Sequence, residues 1–518
     1  MQRGWIVGAL SCVLAATAAA GPETVSQPVL VTSPSPFGGC GLVGTDTLFV
    51  NSTVEPSAAV NPTNPLNIVV GYQQDRWSGG GARGLLAGVS FDGGLSWLRV
   101  VVPGISTCTG GPYERATDPW VSFAPNGDAY FFGMGFDFTT PPGRPGGNGK
   151  SAMLVSKSTD GGFTWGPPIT LIEDLNSRFL NDKNTITADP GDARFAYAVW
   201  DRLQTPVGAT INPDRVIGIG FKGPTMFSRT ADGGATWETA RKIYDPGATS
   251  QTIGNQVVVL PNGTLLNFFN EILGFKNSDG GARFDFNLAL IRSTDQGATW
   301  THGPAIRAAK MMSMATVRPS GVIDPDPATG AETRVRSGDI LPAVAVDRGA
   351  TSPGRGNVYA VWQDARFSGL HIDEIAFARS TDGGLTWSTP IKINRTPTSL
   401  PDGSRQAFTP TVSVAADGTI AVSYYDFRNH FAGSPFLETD HWIVHCHPSS
   451  ASCTSSADWL FESHVAGPFD MRKAPNARGY FLGDYMAMPA AGTRFKPVFV
   501  QSGPGSGRSD VFNATAAE

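Results

Sequence analysis

Two sets of polar side chains in this chain have the types and settings to carry chemistry. The first comprises Glu55, Asp118, Asp182 with Lys183, Asn255, and the adjacent pair Asp484-Tyr485. The second comprises Asp75-Arg76, Asp201-Arg202, Glu271, Asp364 with Arg366, and Asp426 with Arg428. Carboxylates pass protons to and from a reacting group, and a planar guanidinium grips a carboxylate through two parallel hydrogen bonds. The same residues also make ion pairs that tie neighbouring elements together, so each Asp and Arg carries a structural reading beside the functional one. Tyr485 reads equally well as a packing aromatic. His441, His445 and His447 crowd near Cys446, but the chain has no Cys-x-x-Cys pair, and neither a metal nor a cofactor is expected.

The elements that must position these residues are announced by a repeat. Five segments share the pattern Ser/Thr-x-Asp-x-Gly-x-Ser/Thr-Trp: Ser90–Trp97, Ser158–Trp165, Thr230–Trp237, Ser293–Trp300 and Ser380–Trp387. Their aspartates are Asp92, Asp160, Asp232, Asp295 and Asp382. An Asp side chain accepts hydrogen bonds from the N–H groups of its own turn, glycine supplies a positive φ, and the Trp packs beneath. This box is read as a structural hairpin turn. Upstream of it, apolar strands end in an aromatic, as in Ile68–Tyr72, Phe195–Trp200 and Val358–Trp362. Each unit of ~70 residues thus reads as three strands, the box turn, and a fourth strand. Such a unit cannot bury both faces alone, so the expected fold is all-β, a β-propeller of four-stranded antiparallel blades.

Two further units lack a good box, one from about Phe408 to Trp459 and one from Gly483 to Asn513. Seven blades are favoured, with six as the alternative, and Val29–Thr32 is placed to complete the last. In a blade, the first strand starts at the face where the second ends, opposite the box turn. Both sets of polar residues therefore ring one end of the central channel, where chemistry is expected. The wide interval between the last two boxes suggests a surface insertion at about 306–337. The remainder, 21–518, reads as a single propeller domain.

Composition bounds the function. Of 518 residues, 41% are hydrophobic and 16% charged, with 62 Gly and 39 Pro, which suits short strands and tight turns. A net charge of −5 leaves no footprint for nucleic acid. Arg3, the apolar run Ile6–Ala16 and Ala18-Ala19-Ala20 form a secretory signal over residues 1–20, too short to span a membrane. No other segment is long and apolar enough to do so. The chain is expected to be secreted, extracellular or periplasmic, and monomeric. Four cysteines remain after the signal, Cys40, Cys108, Cys446 and Cys453, which allow three disulfide connectivities. Cys446–Cys453 across a Ser-rich turn, with Cys40–Cys108, is the favoured one.

The boxed repeats together with the signal resemble the sialidase superfamily, the Asp-box or BNR-repeat proteins, over about Glu55 to Trp387 and more weakly beyond. The resemblance implies a tyrosine nucleophile, a glutamate that activates it, an aspartate acid/base and an arginine cluster for a substrate carboxylate. On this chain it implies Tyr485 as nucleophile, Asp118 or Asp75 as acid/base, and Glu55 or Glu271 as activator. Arg76, Arg202, Arg366 and Arg428, beside Asp484, then face a carbohydrate substrate. Three functions stay open: a secreted sialidase-like exo-glycosidase on acidic sugars, a polysaccharide lyase on uronate-containing glycans, and a non-catalytic propeller that binds glycan or protein.

Overall fold

A computed structural model describes residues 21–41, 44, 46–138, 150–176, 178–205, 222–276, 282–317, 321–327, 330–449 and 451–517. The signal segment lies outside the described residues. Six four-stranded antiparallel units follow one another among them. The first is Leu48–Val60, Ile68–Trp77, Ala82–Ser90 and Leu98–Val101. The second is Arg115–Phe123, Ala129–Phe136, Lys150–Ser158 and Ile169–Leu175. The third is Phe179–Ala188, Ala196–Gln204, Thr225–Thr230 and Arg241–Tyr244. The fourth is Gln251–Val259, Leu265–Lys276, Ala282–Ser293 and Ile306–Lys310. The fifth is Ala343–Val346, Val358–Asp364, Glu374–Ser380 and Ile391–Lys392. The sixth is Ala407–Val414, Ile420–Asp426, Glu438–Cys446 and Phe461–Asp470. A last, three-stranded sheet pairs Val498–Ser502 with Ser509–Asn513, and Ser509–Asn513 with Val29–Leu30 from the N-terminal segment.

The second strands are buried from end to end in the first, second, fifth and sixth units, because the sheets stack face to face through them. The box turns fasten this stack. In the fourth unit, Asp295 Oδ1 accepts the Ser293 hydroxyl at 2.7 Å and the Thr299 N–H at 2.9 Å, and Oδ2 accepts the Thr299 hydroxyl at 2.6 Å. Bonds from the Thr299 hydroxyl and N–H lower the Asp295 carboxyl to about 2. The box also docks on the preceding sheet, a role the sequence pattern alone does not carry. A Cβ on Gly297 would lie 2.6 Å from Phe227 of the third unit, and Trp300 packs edge-on against that same ring at 5.5 Å. Lys157 donates to the Gly233 carbonyl of the third box at 2.7 Å, and Lys496, two residues before the last sheet, donates to the Gly93 carbonyl of the first box at the same distance. First and last sheets meet again where the Thr53 hydroxyl donates to the Ser509 carbonyl at 3.1 Å.

Both disulfides are present, Cys40–Cys108 and Cys446–Cys453. No helix among the described residues is long and apolar enough to cross a membrane. The expectation of a surface insertion at 306–337 needs correcting. Ile306–Lys310 is the outer strand of the fourth sheet, and the chain after it packs inward. Met311, Met314, Val322 and Val335 are buried, Arg472 grips Asp324 at 2.7 and 3.0 Å, and Val335–Arg336 pairs in parallel with Tyr480–Phe481.

Candidate active site

The innermost strands share a local irregularity. Strand register slips between Val54 and Ser57, Thr117 and Trp120, Asp182 and Thr185, Ile253 and Gln256, and Phe408 and Thr411. At each slip one residue takes a left-handed backbone: Glu55 (φ 54), Asp118 (φ 52), Lys183 (φ 47), Gly254 (φ 69) and Thr409 (φ 49). These are β-bulges, which re-aim a side chain away from the alternation of the strand. A non-glycine residue held there costs ~1–3 kcal/mol, a cost that clusters at functional sites. Three of the five bulges present an ionisable side chain, and all three converge.

Lys183 is the centre of that convergence. Its ammonium donates to Asp484 Oδ2 at 2.8 Å, Asp118 Oδ1 at 3.0 Å and Glu55 Oε1 at 3.4 Å. Asp484 is also clasped by Arg336, through Nε to Oδ1 at 2.9 Å and through Nη2 to Oδ2. Gln73 Nε2 donates to Glu55 Oε2 and, at 2.9 Å, to Thr117 Oγ1, whose hydroxyl donates to Asp118 at 3.0 Å. Arg76 donates from Nη1 to Gln73 Oε1 at 2.8 Å. The phenylalanine ring of Phe481 lies against both guanidinium groups, 4.9 Å from that of Arg76 and 4.2 Å from that of Arg336. Backbone closeness at Gly483 permits the assembly: a Cβ there would stand 2.9 Å from the Glu55 backbone.

The electrostatics separate the carboxylates. Burial raises Asp118 and Glu55 above the ordinary carboxylate range against the opposing pull of Lys183; Asp182 and Asp484 raise Asp118 further, and Asp118 and Asp484 raise Glu55 further. Burial works on Asp484 too, yet Arg336 and Lys183 hold it well below that range. Glu55 receives three donors, from Gln73, Lys183 and the Asp484 N–H at 3.3 Å, so of the raised pair it is the better stabilised as an anion. Burial, followed by Asp118, Glu55 and Asp484, raises Tyr485 well above its usual value, so its hydroxyl is neutral.

Tyr485 turns its hydroxyl to the Pro119 carbonyl at 3.3 Å and packs its ring 5.4 Å from that of Trp120. Trp120, Tyr485 and Asp484 open on a cavity of about 210 Å³ that runs between the inner strands. Its wall also includes Ser57, Gln256 and Thr409.

The structure therefore brings Glu55, Asp118, Asp484, Tyr485 and Arg76 into one neighbourhood and leaves the other expected residues outside its contacts. Arg202 clasps Asp174 of the second sheet, with Nε to Oδ2 at 2.8 Å. Arg366 binds Asp364 two residues away at 2.8 Å. Arg428 is shared between Asp426 at 2.7 Å and Glu462 at 2.5 Å. Each of these three arginines is ion-paired with carboxylates of its own surroundings, and none of them contacts the Lys183 cluster. Asp75 is taken by the Asn51 N–H at 2.8 Å and the Ser35 hydroxyl at 2.7 Å. Glu271 pairs with Tyr244 and Arg307, away from Tyr485. Arg336 was missed, because the interval that holds it reads as surface loop. Lys183 stands beside Asp182 in the sequence, with nothing there to assign it a role. Among the described residues no group of His, Cys, Asp and Glu could hold a metal ion.

No protein-family model matches the sequence, and no curated protein matches it. Solved structures similar to the chain include sialidases, an alpha-L-arabinanase and an alpha-L-arabinofuranosidase. A protein of unknown function from Dyadobacter fermentans is 15% identical, with 96% of this chain and 99% of that one covered, at a TM-score of 0.46. The alpha-L-arabinanase of Penicillium chrysogenum is 13% identical, with coverage of 77% and 94% and a TM-score of 0.46. The sialidase of Trypanosoma rangeli is 14% identical, with coverage of 79% and 58% and a TM-score of 0.44. At such identities and scores none of them assigns a reaction to this chain.

Proposed function

We propose that the chain is an exported exo-glycosidase on a seven-bladed β-propeller, with its chemistry at the cluster of Glu55, Asp118, Lys183, Asp484 and Tyr485. The observation that carries this reading is the Lys183 ammonium shared by three carboxylates from separate parts of the chain, two of them raised and one lowered. Carboxylates whose environments push them apart are the parts that acid/base hydrolysis needs. The count of seven rests on the six units plus the last sheet, with Lys496 and Ser509 joining last to first. Two disulfides fit an oxidising, extracellular destination.

In this mechanism Asp118, protonated, gives its proton to the glycosidic oxygen as the bond from that oxygen to the anomeric carbon breaks. The bonding electron pair leaves with the oxygen. Water forms the new bond to the anomeric carbon and loses a proton to ionised Glu55. Asp484, fixed as an anion, stabilises the positive charge that develops on the sugar ring. Tyr485 acts as a neutral hydroxyl and a platform beside Trp120, since a phenolate nucleophile would face four carboxylates.

The test is a screen of the purified mature protein on neutral, uronate-containing and sialylated glycans, with Asp118→Asn and Tyr485→Phe alongside. Reducing-sugar release that falls at least 100-fold in Asp118→Asn, and less in Tyr485→Phe, supports the reading. A product that absorbs in the ultraviolet moves the assignment to a lyase, and no turnover on any glycan leaves a binding propeller.

A further inference from the structure

We propose that Arg76, buried away from any substrate, is a positioning residue: it locks the Gln73 amide in the one orientation that donates to both Glu55 and Thr117, and so holds Glu55 as the base of the cluster. This rests on the reading of Glu55 as a base and says how the fold fixes that role.

Gln73 is buried on the second strand of the first unit, between Glu55 on the strand before it and Thr117 on the first strand of the second unit. Both N–H groups of its amide are committed, one to Glu55 Oε2 and one to Thr117 Oγ1 at 2.9 Å. The Thr117 hydroxyl gives its own proton to Asp118 Oδ2 at 3.0 Å. Turned end for end, the amide would set its oxygen against the Glu55 carboxylate, acceptor against acceptor. Its other end decides the direction. Arg76 Nη1 donates to Gln73 Oε1 at 2.8 Å, and a guanidinium has donors only, so the amide must present its oxygen there. Donors then run one way, from Arg76 through Gln73 and Thr117 to Asp118, with a branch to Glu55.

That hydrogen bond is the one the Arg76 guanidinium makes among the described residues, and its Nε has no partner there. The residue is 2% exposed, and burial lowers it to about 10, so it stays a cation at neutral pH. A buried cation without a carboxylate partner is costly to keep. The backbone is bent to bring it in: Asp75 takes a left-handed conformation at φ 63, which breaks the alternation that sends residues three apart to opposite faces of a strand. Packing on the Phe481 ring alone would be served as well by a methionine.

The charged and titratable groups that face Glu55 are Lys183, Asp118, Asp484 and Arg76, together with Arg336 and Tyr485. Of the first four, Arg76 acts least through its charge, so its influence runs through the amide. Without Arg76 the amide is free to turn. Its oxygen then accepts from a Glu55 that has taken a proton from water, and from Thr117, whose hydroxyl turns from Asp118.

The experiment is a double-mutant cycle read at Glu55 itself. Protein labelled with ¹³C at the glutamate carboxyls is titrated by NMR, and the Glu55 signal is assigned by its loss in Glu55→Gln. Arg76→Met and Gln73→Met should each raise the Glu55 midpoint by about one pH unit or more, a tenfold change in its ionisation constant. The double variant should shift no further than Gln73→Met alone, to within a few tenths of a unit. Shifts that add overturn the inference, because Arg76 then acts on Glu55 directly, and so does a midpoint that moves in neither single variant. Where Arg76→Met does not fold, Arg76→Gln, which donates or accepts equally and so leaves the amide free, takes its place. On any glycoside that the protein cleaves, the acid limb of kcat/KM should rise by the same interval in Arg76→Met, and Arg76→Lys, a donor only, should restore its position. A limb that stays fixed while the Glu55 midpoint moves refutes Glu55 as the base and leaves the link from Arg76 standing. If no glycoside is cleaved, the hydrolase reading fails, and the NMR cycle still decides that link.

Discussion

His441 offers a test of how burial sets the pH range in which this fold survives. Its imidazole is 1% exposed and lies between the rings of Tyr425 and Phe499, with centroids 4.6 Å from each. Neither ring nitrogen has a hydrogen-bond partner among the described residues. Burial, with a smaller contribution from His464, lowers the group from 6.5 to about 3. A histidine whose folded pKa is depressed favours the folded state above its unfolded pKa. That stability is lost as pH falls from 6.5 toward 3, because the unfolded chain binds a proton that the folded chain refuses. The loss runs at ~1.4 kcal/mol per pH unit, so between pH 6.5 and 4.5 it amounts to roughly 3 kcal/mol. His441→Phe keeps an aromatic ring between the two neighbours and removes the titration. Denaturant unfolding, followed by tryptophan fluorescence from pH 7.5 to 4.5, should show a constant offset between the two proteins above pH 6.5. Below it, the difference should shift in favour of the Phe variant by about one such increment per unit. A difference that stays flat across the whole range would refute the reasoning, whatever the size of the offset.

Two other perturbations follow from the same structure. Lys183→Met leaves three carboxylates facing one another and should destabilise the protein by about 3–5 kcal/mol at neutral pH. Glu55 and Asp118 are raised acids, whose contribution is present below the ordinary carboxylate range and lost as pH rises through their raised values, so the deficit should shrink on acidification. A deficit that grows at low pH in the same unfolding assay would be incompatible with that cluster. Gly297→Ala places a Cβ at φ 80 and 2.6 Å from Phe227, and should cost about 2–4 kcal/mol by thermal or chemical unfolding. Gly303→Ala also sits at positive φ but has no atom within 4 Å of its Cβ, so it should cost less.

What the sequence disclosed was what short segments determine by themselves. The box turns close on their own Asp, as Asp295 does with Ser293 and Thr299, so five copies are legible as text. The second strands are legible because burial on both faces demands unbroken apolar runs such as Val358–Trp362. The Cys446–Cys453 pair is separated by only 7 residues and needs no knowledge of the fold. The bulges are different. A register slip is a property of two strands together, and Glu55, Asp118 and Thr409 betray theirs only by the proline that follows each.

The site lay at the limit of what reading a single chain can do, because paired charges look the same whether they serve a neighbour or a substrate. Arg366 and Asp364 are two residues apart and satisfy each other, and nothing in their spelling distinguishes them from Arg336 and Asp484, which are 148 apart. The discriminating quantity is how many carboxylates converge on one cation. At Arg202 and Arg366 the charge balance is one to one, which makes an ion pair and ends the matter. Arg428 meets two carboxylates, Asp426 and Glu462, at the edge of the sixth sheet and away from the cavity. At Lys183 three carboxylates converge on one ammonium and only Asp484 has a second cation, Arg336, so three carboxylates meet two cations there, on strained backbone and beside that cavity. An excess of carboxylates over cations favours retention of a proton in the cluster, and a retained proton is the resource an acid/base catalyst draws on. That asymmetry, rather than the number of arginines on the face, separates the candidate site from the structural pairs around it.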